Sequence, residues 1–447
     1  MFSSLADVWK MPDLRSRIFF TLALLAVYRL GIFIPAPGVD RAALSEFFQS
    51  GSNTLFGLYD MFSGGALEQF SVFVLGIMPY ISASIIIQVL SSTVPQLERL
   101  SKEGQTGRNK LNQYTRYLTI VIALVQSGSI AVGLEQMKVG NGESVVIAVG
   151  WGFRLMTMIT MTAGSCFVMW LGEQITERGI GSGSSLIITA GIVAGLPTGA
   201  YQLAQKVGNG DMNLLGVTLL VLFMFAVLVG IVFIERGQRR VPIQYAKRVV
   251  GRRVYGGQET HLPLKVNVAG VIPPIFASAV LMFPATLSTL LNSDNVILGR
   301  VVGAFTPGAW LYNTVYVGLI IFFAYFYTAV TFNPVDVADN LKKQGGFIPG
   351  VRPGRQTAEY IDRILSRLTL GGALYLAAVC VIPTLLITQY GIPFYFGGTG
   401  LLIVVSVSLD TVAQIEGHML TKHYDGLIQS SNVRGRQRRL LERSKSE

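Results

Sequence analysis

Few residues in this 447-residue chain have the types and spacing that chemistry needs. Its three histidines, His261, His418 and His423, lack the spacing of metal ligands, and neither H-E-x-x-H nor a Walker A sequence occurs. The two cysteines, Cys166 and Cys380, stand singly inside apolar runs and read as buried small hydrophobes. The glycine-rich run Gly179-Ile180-Gly181-Ser182-Gly183 joins two apolar segments, so a tight turn explains it more simply than a phosphate cradle. Only Arg29 and Asp410 lie clearly within apolar runs, and no intramembrane carboxylate pair accompanies them. Such residues are functional candidates by default, although an arginine can snorkel and Asp410 lies toward one end of its run. The expectation is a protein that is not an enzyme, holds no cofactor or metal, and has too few interior charges for an ion-coupled carrier.

The elements carrying these residues are membrane spans. Hydrophobic residues make up 51% of the chain and charged residues 14%, against about 25% charged in soluble domains. The charges gather in loops, leaving apolar runs of roughly twenty residues, the length that crosses a ~30 Å hydrocarbon core as helix. Ten such runs lie near 18–35, 71–91, 117–134, 152–172, 184–205, 212–234, 267–290, 310–332, 369–388 and 394–415. With the N-terminus inside, the cytoplasmic segments hold 30 of the 36 Lys and Arg, and the opposite loops hold five. That asymmetry places both termini in the cytoplasm. The N-terminal stretch shows no small-residue cleavage site, so no cleavable signal peptide is expected. The cytoplasmic segments also carry only 16 acidic residues. Their excess positive charge suits anionic lipids and an acidic or nucleic-acid partner.

Several spans are unsuited to facing lipid on all sides. The second contains Gly76, Pro79, Ser82, Ala83 and Ser84, and the seventh Asn267, Gly270, Pro273 and Pro274. Small residues permit close helix approach, and prolines are expected to break the backbone ladder beside a cavity or bundle interior. Residues 55–62 form a half-apolar stretch before Gly64-Gly65, too short to cross, which reads as a re-entrant segment or an external amphipathic turn. Two cytoplasmic loops, 235–266 and 333–368, project basic residues among glycines and prolines. Tight turns around Gly350, Pro353 and Gly354 should present Arg352 at a tip, as a docking loop would.

Seven motifs, in order, carry a resemblance that covers about residues 10–430: MFSGGA (61–66), GIMPYISASIIIQ (76–88), WLGEQITERGIG (170–181), GQRRVPIQYAKR (237–248), HLPLKVNVAGVIP (261–273), FNPVDVADNLKKQGGFIPGVRPG (332–354) and FYFGGTGLLIVV (394–405). The chain resembles the SecY family, which forms the central subunit of Sec protein-conducting channels. The resemblance implies an all-α polytopic membrane protein with ten transmembrane helices in two pseudo-symmetric inverted halves of five. The halves would be residues 18–205 and 212–415, joined by an external hinge at 206–211 and flanked by a cytoplasmic N-terminus (1–17) and a basic tail (416–447).

The resemblance also implies sites. A pore ring would comprise Ile77, Ile81, Ser184, Ile188, Ile275 and Ile403. The residues agree in part: Ile77/Ile81 and Ser184/Ile188 are i,i+4 pairs, each on one helix face. An aliphatic ring resists water and ions by dewetting. Ser184 departs from the apolar pattern, and Leu186 is a candidate to compensate. The plug would span about 55–70, with Leu58, Tyr59, Met61 and Phe62, hinged by Gly64 and Gly65. Ser82, Gln126, Asn267 and Phe283 would line a lateral gate between the second and third spans and the seventh and eighth. Arg239, Arg240, Lys247, Arg248, Arg252, Arg253 and Arg352 would dock the ribosome, by rRNA contacts, or the motor ATPase SecA. Further partners would be the SecE and SecG subunits, preprotein signal sequences, SecDF and YidC, in a bacterial cytoplasmic (inner) membrane. The implied function is translocation of unfolded preproteins and lateral release of transmembrane segments. A small-solute secondary transporter is the alternative.

Overall fold

Helix α1 (Pro12–Ile32) begins with proline in its first turn, where the missing N–H breaks no hydrogen bond. The fold was described from a computed structural model covering residues 11–40, 44, 63–67, 69–136, 145–210, 214–245, 248–250, 253–255, 259–291, 309–390 and 398–443. The first half continues with α2 (Met78–Thr93), α3 (Pro95–Lys102), α4 (Gln105–Gln136), α5 (Trp151–Arg178), α6 (Gly183–Ala194) and α7 (Leu196–Gly208). The second half contains α8 (Leu214–Glu235), α9 (Ile272–Leu291), α10 (Trp310–Thr331), α11 (Pro334–Lys343), α12 (Arg355–Tyr390) and α13 (Gly398–Arg443). Each of the ten apolar runs carries a helix. Among the described residues, seven helices have the length and apolarity of a span, counting α6 with α7 and α10 with α11, and an eighth arises if α2 and α3, bent by 100°, form one. The chain is a multi-pass helical membrane protein.

The helices pack as two groups that meet along two seams. In the first, α4 lies on α2 and α5, while α1 lies on α5 and α6. In the second, α10 joins α9 to α12, and α13 contacts α12 and α8. One seam is α9 against α4 and α2; the other is α13 against α6. Glycines set the close approaches. Gly398 starts α13 against the backbone of Val379 in α12. The turn at 179–183 is anchored rather than empty: Gly181 has φ +90° and its N–H donates to Gln414 of α13 at 3.0 Å. The glycine-rich run is therefore a turn, as its position between spans suggested.

Two expectations about prolines are corrected. The second span does not run as helix over 71–91; residues 71–77 form turns, and Pro79 lies in the first turn of α2. Likewise the seventh helix starts at Ile272 rather than 267, so Pro273 and Pro274 occupy its opening residues. These prolines begin helices instead of breaking them, because the first-turn N–H groups have no intrahelical acceptor to lose.

A second correction concerns the basic loops, which carry β-structure. Strand β1 (Gln238–Tyr245) pairs antiparallel with β4 (Glu259–Lys265), in register Gln238↔Lys265 through Gln244↔Glu259. Between them, β2 (Arg248–Val250) and β3 (Arg253–Tyr255) form a separate two-stranded ribbon. From the other loop, β5 (Gly346–Phe347) adds to the free edge of β1, giving the order β4-β1-β5. Val241, Ile243 and Leu264 of this sheet bury a small core with Leu341, Ile348, Ile361 and Leu365. The last two belong to α12, whose 36 residues span about 54 Å, well beyond a ~30 Å hydrocarbon core. The overhang supports the sheet.

Candidate pore, gate and docking surface

The proposed ring residues come from four helices on both sides of the seams. Ile77 caps α2 and accepts the N–H of Ile81 at 3.1 Å, so the pair remains one helical turn apart. Ser184 and Ile188 lie on α6, Ile275 on α9 and Ile403 on α13. Ile77, Ile188, Ile275 and Ile403 are buried members of one hydrophobic cluster, and Ile81 packs against it. Ile403 is fully buried at 0% exposure. Gly172 of α5 provides the room: a Cβ there would stand 3.1 Å from Ile77 Cδ1, 3.5 Å from Ile187 Cδ1 and 3.7 Å from the Ser184 nitrogen. Ser184 is half-buried, its hydroxyl 3.2 Å from that of Ser182. Leu186 packs on the same cluster, so an aliphatic neighbour accompanies the one polar position.

Of the plug residues, Leu58, Tyr59, Met61 and Phe62 lie outside the described residues. Gly64 and Gly65 have φ of +72° and +86°, a region that suits glycine. They differ in freedom. A Cβ on Gly65 would meet nothing within 4 Å, whereas one on Gly64 would stand 2.7 Å from Gly191 Cα in α6. Gly64 is thus a packing point, whereas the position of Gly65 has room for a side chain. The segment from Ser63 to Gly76 is tied to the end of α1. Tyr28 Oη donates to Ser63 O at 3.3 Å, Arg29 Nη1 to Gly64 O at 3.0 Å, and Ser71 Oγ to Gly31 O at 3.1 Å.

Asn267, a gate residue by motif, is buried beside the end of α8 and Gly372 of α12, and its amide donates to Glu235 Oε1 at 2.7 Å and to Gly270 O at 3.1 Å. Both amide hydrogens are thereby used without reaching Ser82, which is half-buried on α2. Gln126 of α4 has its Oε1 buried with no hydrogen-bond partner among the described residues. Phe283 lies on α9, its side chain outside the described residues. Glu235 was missed from sequence. It ends α8, and a polar side chain closing an apolar run beside a docking loop was the available signal.

The sheet built from the two basic loops carries the residues expected to dock a partner. Arg239 and Arg240 are exposed on β1, and Arg352 is exposed at the turn between Gly350 (φ +83°) and Gly354 (φ +106°). The Arg352 carbonyl accepts from Thr357 Oγ1 at 2.9 Å, which fixes the turn to the start of α12. Arg248 and Arg253 sit opposite Tyr255 and Val250 on the β2–β3 ribbon, their side chains outside the described residues. Lys247 and Arg252 also lie outside them. Val266 N–H donates to Gly237 O at 3.0 Å and closes the base of this hairpin beside the Glu235–Asn267 bond. Nearby on α3, a hydrogen bond from Lys102 holds the Glu98 carboxyl below the usual carboxylate range. Asp410, the acidic residue within the tenth run, is exposed and 3.6 Å from Lys265 Nζ at the end of β4.

The family model of SecY matches residues 71–412. The chain is 48% identical over 430 residues to the protein translocase subunit SecY of Vibrio cholerae, covering 95% of this chain and 96% of that protein. It is 49% identical over 427 residues to the same subunit of Escherichia coli K12, with 95% and 96% covered. Among solved structures, it is similar to a protein-conducting channel with TM-score 0.65 at 17% identity, covering 91% of this chain and 92% of that one. A structure described as showing that the SecY plug domain stabilises the closed translocation channel and maintains a membrane seal matches at 0.63 and 18%, with 91% and 92% covered. Sec61 in the canine ribosome–channel complex from the endoplasmic reticulum matches at 0.62 and 17%, also with 91% and 92% covered.

Proposed function

The chain belongs to the SecY family, and from that premise we propose that it forms the channel through which a translocase moves unfolded polypeptides. The observation that carries the reading is a buried aliphatic cluster shared by both helix groups. Residues of α2, α6, α9 and α13, drawn from both helix groups, meet in one buried cluster. Such a constriction repels water and ions when shut and offers a passing chain few hydrogen bonds, so it does not select by sequence. The small-solute transporter is set aside, because the relatives are translocase subunits.

The finer assignments belong to this proposal. Ile77, Ile81, Ser184, Ile188, Ile275 and Ile403 form the seal, and the segment ending at Gly64-Gly65 plugs it. The seam of α9 with α2 and α4 is the lateral gate, where Ser82, Gln126, Asn267 and Phe283 respond to a signal sequence. Arg239, Arg240, Arg352 and the ribbon basic residues dock a ribosome or the motor SecA; SecE and SecG complete the complex. The residues 18–205 and 212–415 act as the two halves, hinged at 206–211, with both termini in the cytoplasm of a bacterial inner membrane. The chain acts as a conduit, and the energy comes from its partner. Reconstitution with SecE, SecG, SecA and ATP tests this: a preprotein should become protease-protected inside vesicles. Partner-free uptake of a small solute, without preprotein protection, would sink it.

A further inference from the structure

Ring, gate and dock leave Arg29 without a role. Arg29 lies inside the first apolar run, 18–35, where a charge is costly unless it is paired or hydrogen-bonded, so its presence calls for a partner. Among the described residues no carboxylate forms an ion pair with it. Its hydrogen bond goes instead to the carbonyl of Gly64, at 3.0 Å. The preceding residue, Tyr28, is 1% exposed and donates to the carbonyl of Ser63. Two consecutive side chains of α1 therefore hold two consecutive carbonyls of the segment that leads into α2.

The other wall of this clamp is α6. A Cβ on Gly64 would stand 2.7 Å from Gly191 Cα and 3.0 Å from Arg29 Nη1, so only glycine fits between them. Arg29 also lies in the last turn of α1, where a cation offsets the helix's partial negative charge. The clamp is continuous with the seal. Tyr28, Phe73, Ile77, Ile188 and Ile192 share one buried cluster, and the Tyr28 and Phe73 rings stack with centroids 6.2 Å apart. Twelve residues separate Gly64 from Ile77 in the sequence, and Gly191 follows Ile188 by less than one helical turn.

We infer that Arg29 is a positioning residue for the seal: it clamps Gly64 between α1 and α6 and so holds Ile77 and Ile188 together. The inference rests on the reading of those isoleucines as ring residues. Resting ion conductance of the reconstituted SecYEG complex tests it in planar bilayers, with R29L, R29K, Y28F and the ring variant I403G compared with wild type. R29L should raise resting conductance roughly tenfold, the shift that about 1.4 kcal/mol of lost closure produces. R29K, which keeps a cationic donor, should restore most of the seal, a rescue that a requirement for packing volume alone would not predict. Y28F deletes one oxygen without emptying space and should raise conductance by about threefold, so it decides the matter if R29L does not accumulate. Wild-type conductance in R29L, or in Y28F where R29L is not recovered, with a leaking I403G overturns the clamp and leaves the ring intact. Wild-type conductance in both the clamp variants and I403G removes the ring reading, and the clamp with it.

Discussion

Graded truncation at Ile403 should open the resting channel in steps. The side chain is fully buried in the cluster shared by both helix groups. On the ring reading its packing belongs to the shut state, so its loss should weaken closure more than folding. Ile→Val in a packed interior costs about 0.5–1.5 kcal/mol and Ile→Ala about 2–5 kcal/mol. Taking about 1 and about 3 kcal/mol as the shut-state share, the open-to-shut ratio rises about fivefold for Ile403→Val and about a hundredfold for Ile403→Ala. Ile403→Gly removes one further carbon and adds backbone freedom within α13, worth about 1 kcal/mol more. These are upper bounds, because neighbours relax into part of the space. The assay is single-channel and ensemble conductance of the reconstituted complex at rest, without motor or ribosome. An equal conductance for wild type, Val, Ala and Gly variants would show that Ile403 does not contribute to the barrier.

Other consequences follow from the dock and the outer face. Replacing Arg352 with Glu puts a negative charge at an exposed turn and should reduce SecA-driven translocation at least tenfold while membrane insertion of the protein is unaffected; unchanged translocation would remove Arg352 from the dock. Glu135 is 4% exposed at its side chain and takes two bonds from Arg154, at 2.8 and 2.6 Å, plus the Gly150 N–H at 3.0 Å. Glu135→Ala removes all three of these hydrogen bonds and leaves Arg154, 32% exposed at its side chain, without its carboxylate, so it should lower the thermal unfolding temperature in detergent by a few degrees. An unshifted transition would show that the α4–α5 clip is dispensable.

The ten spans were legible because hydropathy at twenty-residue length is a strong signal, but two boundaries were not. Residues 71–77 are apolar since they pack in turns against α1, where Phe73 fits the space beside Gly31. Hydropathy cannot separate that from helix, and a proline at a helix start looks the same in composition as one inside it. The sheet was masked by charge and glycine, although Val241 and Ile243 alternate with exposed neighbours along β1 as a half-buried strand requires. The ring residues were legible only through motifs, since an isoleucine in an apolar helix otherwise reads as ordinary packing. Arg29 stood out as an odd charge, but its partner is a backbone carbonyl 35 residues away, which no side-chain pattern announces. Asn267 was visible as a polar residue opening an apolar run, yet its bond to Glu235 depends on how the hairpin base closes.

The central claim is that a polypeptide passes through the ring. Photo-crosslinking amino acids placed singly at 77, 188, 275 and 403, with a preprotein arrested midway, measure this most directly. All four positions should crosslink to the preprotein, while position 215 on the outward face of α8, 73% exposed, should not. A preprotein that is arrested and protease-protected, yet crosslinks to none of the four, would contradict the account.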